Sequence, residues 1–252
     1  MTMEAYSPPR HLLAKVQRRL TQRRAARPAT LHFEQPILSI TFDDFPASAA
    51  REGAQILESH GARGVFYAAA GLAEQDGPSG RNFSAADLKR LAAAGHEIGC
   101  HSYAHNDCAK RPVFETLQDF AKNRDALTAM GLTEAARSLA YPYGETTSAL
   151  KRSLPPRFSS ARGVMPGLNV GPADLAQLRA YAMFGEPFAA MRRELKQAAR
   201  RNAWVIGFTH DVADAPSPWG TRSAELDALL RMARDLDYLI LPVSAALERR
   251  LP

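Results

Sequence analysis

The 252-residue sequence has no run of about 18 apolar residues, so it predicts no transmembrane helix. It also lacks the apolar region of a secretory signal peptide, to which "HLLAKV" is the nearest approach. Cysteine is scarce, with only Cys100 and Cys108. These absences lead us to expect a cytoplasmic protein with two free thiols, because disulfides are rare in reducing compartments. The alternative, a structural zinc site, conflicts with the spacing Cys-His-x3-His-x2-Cys, which does not match the common zinc fingers.

The positive charge of the chain is concentrated near its N-terminus, and the rest of the chain is neutral overall. The formal net charge is +6, yet residues 31–252 carry 25 basic and 25 acidic side chains. Residues 1–30 hold one acid, Glu4, and seven basic residues: Arg10, Lys15, Arg18, Arg19, Arg23, Arg24 and Arg27. A nucleic-acid-binding core needs its own basic patch, so we expect no nucleic-acid partner for the body of the protein.

Residues 1–32 are therefore read as a basic arm, and residues 33–252 as the main domain. A short helix in the arm would place four aliphatic residues on one narrow face: Leu12, Leu13, Val16 and Leu20. Three interpretations stay open. The arm could be solvated or pack against another subunit, it could touch acidic lipid headgroups, or it could contact nucleic acid.

After the arm, strand-like and helix-like segments alternate. The predicted strands are 36–44, 63–70, 96–102, 138–144, 158–164, 204–212 and 238–243. The predicted helices are 47–61, 84–95, 113–131, 146–154, 188–202 and 223–237. This alternation indicates an α/β fold with a parallel sheet. We expect a distorted (β/α) barrel of about seven parallel strands, whose site lies at the carboxyl ends of the strands; a doubly wound sheet is the alternative.

Polar clusters follow four of these strands. They are Asp43-Asp44 in "TFDD", "HSYAH" (101–105), "YPYG" (141–144) and His210-Asp211. Adjacent carboxylates at the end of an apolar strand are costly unless they are used. Because parallel strands end at one edge, we expect these groups to converge.

His101 and His105 are four residues apart. A helical turn after the strand would direct both imidazoles the same way. Two histidines and a carboxylate from another strand form the three-ligand open site of catalytic zinc, whose water has a lowered pKa. One of the two adjacent aspartates can bind the metal while the other takes a proton from the water.

The motifs "TFDD", "HSYAH", "YPYG" and "GFTHD", in this order, resemble those of the polysaccharide deacetylase family, also called NodB-like domains or carbohydrate esterase family four. The resemblance covers about residues 34–248. It implies that Asp43 is the general base, while Asp44, His101 and His105 bind one divalent metal. It further implies that the backbone N–H of Tyr143 stabilises the oxyanion and that His210 protonates the leaving amine.

Two departures from the family pattern stand out. Phe45 replaces the usual glycine after "TFDD", so we expect a large apolar group at the mouth of the site. The arginine that usually precedes the proline of the third motif is missing, and Arg162 at the end of the next strand is our candidate replacement. Trp219 is a candidate for stacking on a sugar ring. Asp211 is a candidate for bracing a neighbouring strand or the metal-site histidines.

The resemblance implies a hydrolase that removes N-acetyl groups from amino sugars of an oligosaccharide or polysaccharide. O-deacetylation, a non-catalytic carbohydrate-binding protein and a hydrolase of small non-sugar amides remain alternatives. Zinc is the expected metal on ligand preference, although the same ligands accept cobalt, nickel or manganese.

Overall fold

The computed structural model describes residues 12–251, with side chains described from residue 16. The helices are α1 (Leu12–Arg23), α2 (Ala54–Ser59), α3 (Ala85–Ala93), α4 (Val113–Ala129), α5 (Ser148–Ser153), α6 (Gly185–Ala199), α7 (Ser223–Asp235) and α8 (Val243–Glu248). The strands are β1 (Pro28–Leu31), β2 (Ile37–Asp43), β3 (Val65–Ala68), β4 (Asp76–Gly77), β5 (Gly80–Arg81), β6 (Glu97–Cys100), β7 (Ser138–Ala140), β8 (Ser160–Arg162), β9 (Gly171–Asp174), β10 (Tyr181–Ala182), β11 (Trp204–Thr209), β12 (Val212–Ala213), β13 (Thr221–Arg222) and β14 (Leu239–Ile240). None of the helices described is long and apolar enough to span a membrane.

The predicted α/β fold with a parallel sheet is confirmed. A half-barrel of seven parallel strands runs in the order β10-β11-β2-β3-β6-β7-β8, and β14 adds to β2. On one side of β2 lies β11, while β14 and β3 share the other side. Because every pairing in this sheet is parallel, the carboxyl ends of its strands lie along one edge.

Strand β2 shows how the two faces of the sheet are used. Every one of its residues is buried. One face contributes Leu38, Ile40 and Phe42 to a core shared with the surrounding helices. Since successive side chains point to opposite faces, Ile37 and Asp43 lie on the other face. Asp43 is therefore directed into the interior of the half-barrel.

Helix α3 begins at the residue that the sequence signal predicted, whereas α2 begins later and α6 earlier than expected. Ser84 caps α3: the Asp87 N–H donates to its hydroxyl at 3.1 Å, and the Ser84 N–H donates to the Asp87 carboxylate at 2.9 Å. The predicted helix 47–61 opens as a π-helical turn over Ala49–Gly53 before α2 begins. Cys100 and Cys108 are buried, unbridged thiols.

Several elements differ from the sequence-based expectation. Strands β9 and β10 lie in a stretch for which no element was predicted. Strand β1, inside the predicted arm, pairs antiparallel with β9 and ties this end of the arm to the body. The predicted apolar face of α1 leaves Val16 and Leu20 exposed, while the side chains of Leu12 and Leu13 lie outside the described residues.

Candidate active site

The carboxyl edge of the sheet gathers the polar side chains singled out from the sequence. Asp43 is the last residue of β2, and Arg162 is the last residue of β8. His101 and His210 follow β6 and β11 within one residue. Tyr143 stands in the 3-10 turn Pro142–Gly144 after β7. Five different strands thus deliver these groups to one edge, as the parallel topology requires.

The side chains of the two adjacent aspartates point in different directions and have different partners, so two like charges can stand at the end of a buried strand. Asp44 takes a left-handed backbone conformation with φ of 45°, so the extended conformation of β2 ends there. Asp43 is buried and accepts a hydrogen bond from Arg162. Asp44 turns toward His105, with its Oδ2 atom 4.0 Å from the histidine Nε2 atom. Its Oδ1 atom is buried and has no hydrogen-bond partner among the described residues.

His101 and His105 approach each other without the helical turn that was considered as the way to direct both rings to one side. Their ring centroids are 4.9 Å apart. The segment is a loop in which Ser102 and His105 take left-handed backbone conformations, with φ of 60° and 52°. The carboxylate of Asp119 on α4 holds this loop by accepting the Tyr103 N–H at 2.6 Å. Nothing in the sequence pattern singled out Asp119.

Each histidine has one ring nitrogen engaged by the protein. Nδ1 of His101 donates to the carbonyl of Ala140 at 2.8 Å, which leaves Nε2 as the nitrogen with a lone pair. Nδ1 of His105 lies 3.1 Å from the hydroxyl of Tyr143, whose ring packs edge-on against the imidazole. Sequence reasoning assigned only a backbone role to Tyr143 and missed this contact.

Arg162 makes the contact expected of it. Its guanidinium forms a buried ion pair with Asp43 and donates to the carbonyl of Gly163 at 2.9 Å. The rings of Tyr67 and Phe208 flank the guanidinium, each with its centroid 5.1 Å from Cζ. The geometry fixes this cation at a single position beside Asp43.

His210 is oriented by the loop that follows it. Its backbone N–H and its Nδ1 atom both lie 3.2 Å from the carbonyl oxygen of Trp219. Nδ1–H therefore donates to that carbonyl and leaves Nε2 for other partners. Asp211 accepts hydrogen bonds from the Ser217 N–H at 2.8 Å and hydroxyl at 2.6 Å. These bonds brace the loop that carries Trp219, and among the described residues the Asp211 carboxylate has no hydrogen bond to His101 or His105.

Phe45 does not lie at the mouth of the site, so that prediction is wrong. The side chain is fully buried and stacks on Phe83 with centroids 4.5 Å apart. It also packs edge-on against Phe66. The left-handed turn at Asp44 directs Phe45 back into the core between the sheet and the helices.

Burial and neighbouring charges set the protonation states. Burial acts to raise the pKa of Asp43, but Arg162, His101 and His210 outweigh it and hold that pKa below its ordinary value. Burial raises the pKa of Asp44, and the charge of Asp43 adds to the effect. Burial also lowers the pKa of His101 and that of His105, each to about 4. Both imidazoles are therefore neutral at pH 7 and can act as ligands.

The donor set fits a divalent cation of the zinc type. It combines two neutral imidazoles with a carboxylate whose buried oxygen lacks a partner within the described chain. Over residues 12–251 no group of three His, Cys, Asp or Glu side chains already has metal-binding geometry. Two ligands of one tetrahedral zinc ion lie about 3.3 Å apart. Oδ2 of Asp44 lies 4.0 Å from Nε2 of His105, a separation slightly longer than that between two ligands of one ion.

A family model matches about half of the chain. Residues 31–154 match the family model described as polysaccharide deacetylase. A search of curated proteins gave no match.

Solved structures share the fold. One described as "T48 deacetylase with substrate" is 16% identical, with a TM-score of 0.61 over 86% of this chain and 93% of its own. The chitin deacetylase of the fungal pathogen Colletotrichum lindemuthianum is 16% identical, with a TM-score of 0.60 over 88% and 92%. A family 4 carbohydrate esterase from Streptomyces lividans, in complex with acetate, is 16% identical, with a TM-score of 0.58 over 88% and 98%. Residues 31–154, just under half of the chain, thus match the polysaccharide deacetylase family, and most of the chain shares the fold of these solved structures.

Proposed function

We propose that this protein is a metal-dependent hydrolase that removes N-acetyl groups from amino sugars of an oligosaccharide or polysaccharide. The observation that carries the proposal is that the two adjacent aspartates, Asp43 and Asp44, have different surroundings suited to different roles. Asp43 is held ionised by Arg162, while Asp44 directs Oδ2 toward His105 and keeps a buried Oδ1 without a hydrogen-bond partner among the described residues. The names of the similar structures, which include a chitin deacetylase and an esterase with acetate, support an acetylated carbohydrate as the substrate class.

Asp44, His101 and His105 would hold the metal. Zinc suits two imidazoles and a carboxylate, and cobalt, nickel or manganese can bind the same donors. When bound, the cation supplies Lewis-acid activation of water and of the acetamide carbonyl. The hydrogen bond from His101 Nδ1 to Ala140 and the contact of His105 with Tyr143 fix the two rings, which is the usual way a protein orients metal ligands.

Proton transfer falls to the residues on either side. Asp43 accepts the proton of the attacking water, because Arg162 keeps the carboxylate ionised and fixes its direction. The Tyr143 N–H donates to the oxygen on which charge develops. His210, with Nδ1–H held by the Trp219 carbonyl, presents Nε2 and delivers a proton to the leaving amine. The ring of Trp219 is half-buried and remains our candidate for stacking on a sugar.

The contact of Arg162 with Asp43 also bears on the non-catalytic alternative. That alternative depended on the missing arginine of the third motif. Because the guanidinium of Arg162 lies beside Asp43, the absence of the third-motif arginine no longer favours a non-catalytic protein over an active hydrolase.

The test pairs metal content with acetate release. Purified protein is analysed for bound metal and assayed on N-acetylglucosamine oligomers before and after chelation. We expect one equivalent of metal and acetate release that chelation abolishes and zinc restores. Protein that takes up no metal even after zinc is added would refute the convergence of Asp44, His101 and His105. Metal without acetate release would refute this substrate class.

Two neighbouring variants separate the two roles. Asp44→Ala should lose metal, whereas Asp43→Asn should retain metal and lose turnover, by about 10²–10⁴-fold for a general base. Asp76→Asn, which changes an exposed carboxylate in β4, serves as the control. Full turnover in Asp43→Asn would contradict the assignment of the base.

A further inference from the structure

Helix α1 presents an unusual face to solvent. Arg24 follows the last residue of α1 and continues its hydrogen bonding through the carbonyl of Leu20. At 100° per residue, five exposed side chains fall within an arc of about 140°: Val16, Arg19, Leu20, Arg23 and Arg24. Val16 and Leu20 are 48% and 47% exposed, among the few large aliphatic side chains left in solvent. We call these five residues the outer face of α1.

The opposite side of α1 is polar and anchors the helix to the body. Arg18 forms an ion pair with Glu145 at 2.7 Å. The carbonyl oxygen of Thr21 accepts a hydrogen bond from the buried ammonium of Lys151 at 2.7 Å. An amphipathic helix of a soluble protein normally packs its aliphatic residues inward. Here the aliphatic residues lie outward, together with three arginines, while polar contacts hold the helix in place.

The charge around the outer face is mostly positive, although Asp174, which pairs with Lys151, lines a neighbouring groove with Arg23. Arg19 and Arg23 also line a groove of about 460 Å³ with Arg179, beside Met165. Residues 1–30 carry seven basic residues and one acid, while the rest of the chain is balanced. A partner that fits the outer face must therefore be negatively charged over a wide area and must also accept aliphatic side chains. A bilayer with anionic headgroups combines both properties, because arginines can reach phosphates while the aliphatic residues enter the acyl boundary.

We propose that the outer face of α1 docks the protein on an anionic phospholipid membrane. This inference does not depend on the proposed hydrolase activity. The helix adjoins the candidate active site, because Glu145 stands two residues after Tyr143. A groove of about 510 Å³ also lies between α1 and the loops that follow His105 and Tyr143. Docking through α1 would bring this edge of the sheet close to the lipid surface.

The test measures partition of the full chain onto vesicles by flotation. Phosphatidylcholine vesicles are compared with vesicles that also contain 30% phosphatidylglycerol, at low and physiological salt. We expect binding to the anionic vesicles only, weakened by salt. Each arginine near an anionic bilayer contributes about fivefold to binding. The triple variant Arg19→Gln, Arg23→Gln, Arg24→Gln should therefore bind roughly 100-fold more weakly.

A matched variant removes the same charge elsewhere. Arg193→Gln, Lys196→Gln, Arg200→Gln removes three exposed cations from α6 and the residue that follows it, and should bind anionic vesicles as the unmodified chain does. Leu20→Ser, which leaves the charge unchanged, should also weaken binding. Thermal unfolding by circular dichroism checks that each variant folds.

Three outcomes would overturn the proposal. In the first, the unmodified chain stays unbound to anionic vesicles. In the second, both triple variants lose binding equally, so that net charge alone acts. In the third, the Leu20→Ser variant binds vesicles as tightly as the unmodified chain does, and single-stranded DNA binds the outer face as tightly as vesicles do. This result would assign the outer face to nucleic-acid binding. Acetate release enters none of these readouts, so a failure of the proposed function would be recognised separately.

Discussion

The ion pair between Arg162 and Asp43 makes a prediction that can be measured without a substrate. Both side chains are almost fully buried, and the two ends of the pair come from β8 and β2, 119 residues apart in the chain. Arg162→Met removes the cation and leaves the carboxylate buried. Removing one partner of such a pair costs about 3–5 kcal/mol of the free energy of unfolding. Asp43→Asn, which strands the guanidinium, should cost a similar amount.

The double variant distinguishes this pairing from ordinary packing. With Arg162→Met and Asp43→Asn combined, no charge remains unpaired, so the total cost should fall below the sum of the two single costs by about 2–3 kcal/mol. Urea unfolding at pH 7, followed by tryptophan fluorescence, gives all four free energies. The exposed pair of Arg81 and Asp76, 3.9 Å apart, is the control and should couple by less than about 1 kcal/mol.

The pH dependence has a defined sign. The pKa of Asp43 in the folded protein lies below its unfolded value. The stabilisation by Arg162 is therefore fully present above the unfolded pKa of about 3.9 and is lost as the pH falls through the folded pKa. Coupling should persist from pH 7 to pH 5. Additive costs at pH 7, within about 0.5 kcal/mol, would refute the conclusion that Arg162 holds Asp43 ionised.

Two further predictions concern other contacts. Asp174→Asn leaves the buried ammonium of Lys151 without its carboxylate partner at 2.8 Å, so we expect a loss of about 3–5 kcal/mol in urea unfolding. The pKa of Asp174 is lowered, against the effect of burial, by Lys151 and by backbone N–H groups. The deficit should therefore be complete at pH 7 and shrink as the pH falls through the folded pKa of Asp174; an equal loss in the exposed control Asp125→Asn would contradict this reasoning. Tyr143→Phe removes the hydroxyl beside His105 and should weaken metal binding about 10–100-fold in chelator competition; unchanged affinity would exclude an orienting role for the hydroxyl.

The sequence predicted the sheet well because its central strands carry strong local signals. Strand β2 is entirely apolar or small until its last residue, and it ends within one residue of the predicted boundary. Strands β9 and β10 have no such signal. Their segment is rich in proline and glycine, and their pairing with β1 and β11 depends on partners distant in the chain. Local patterns do not encode such contacts.

The sequence predicted the positions of site residues that lie at the ends of strands. It did not predict the positions that depend on how the backbone turns after a strand. Asp43, His101 and His210 follow buried strands, so the parallel topology brings them to one edge. Phe45 was misplaced because alternation along a strand does not foresee the left-handed conformation of Asp44. The support that Asp119 gives to the histidine loop comes from α4 and leaves no trace in the spacing of the motif.

The location of Arg162 has a simple geometric reason. The third motif lacks its arginine in the segment that contains Ala140, at the end of β7. In the parallel register of the sheet, Ala140 lies directly opposite Arg162 on β8. Side chains at paired positions of neighbouring strands point to the same face, and that face carries Asp43. A cation can therefore be supplied from either strand without altering the fold, and in this chain the small side chain of Ala140 leaves room on that face for the guanidinium delivered by β8. The third motif has lost its arginine, but Arg162 on the neighbouring strand β8 supplies the positive charge beside Asp43 instead.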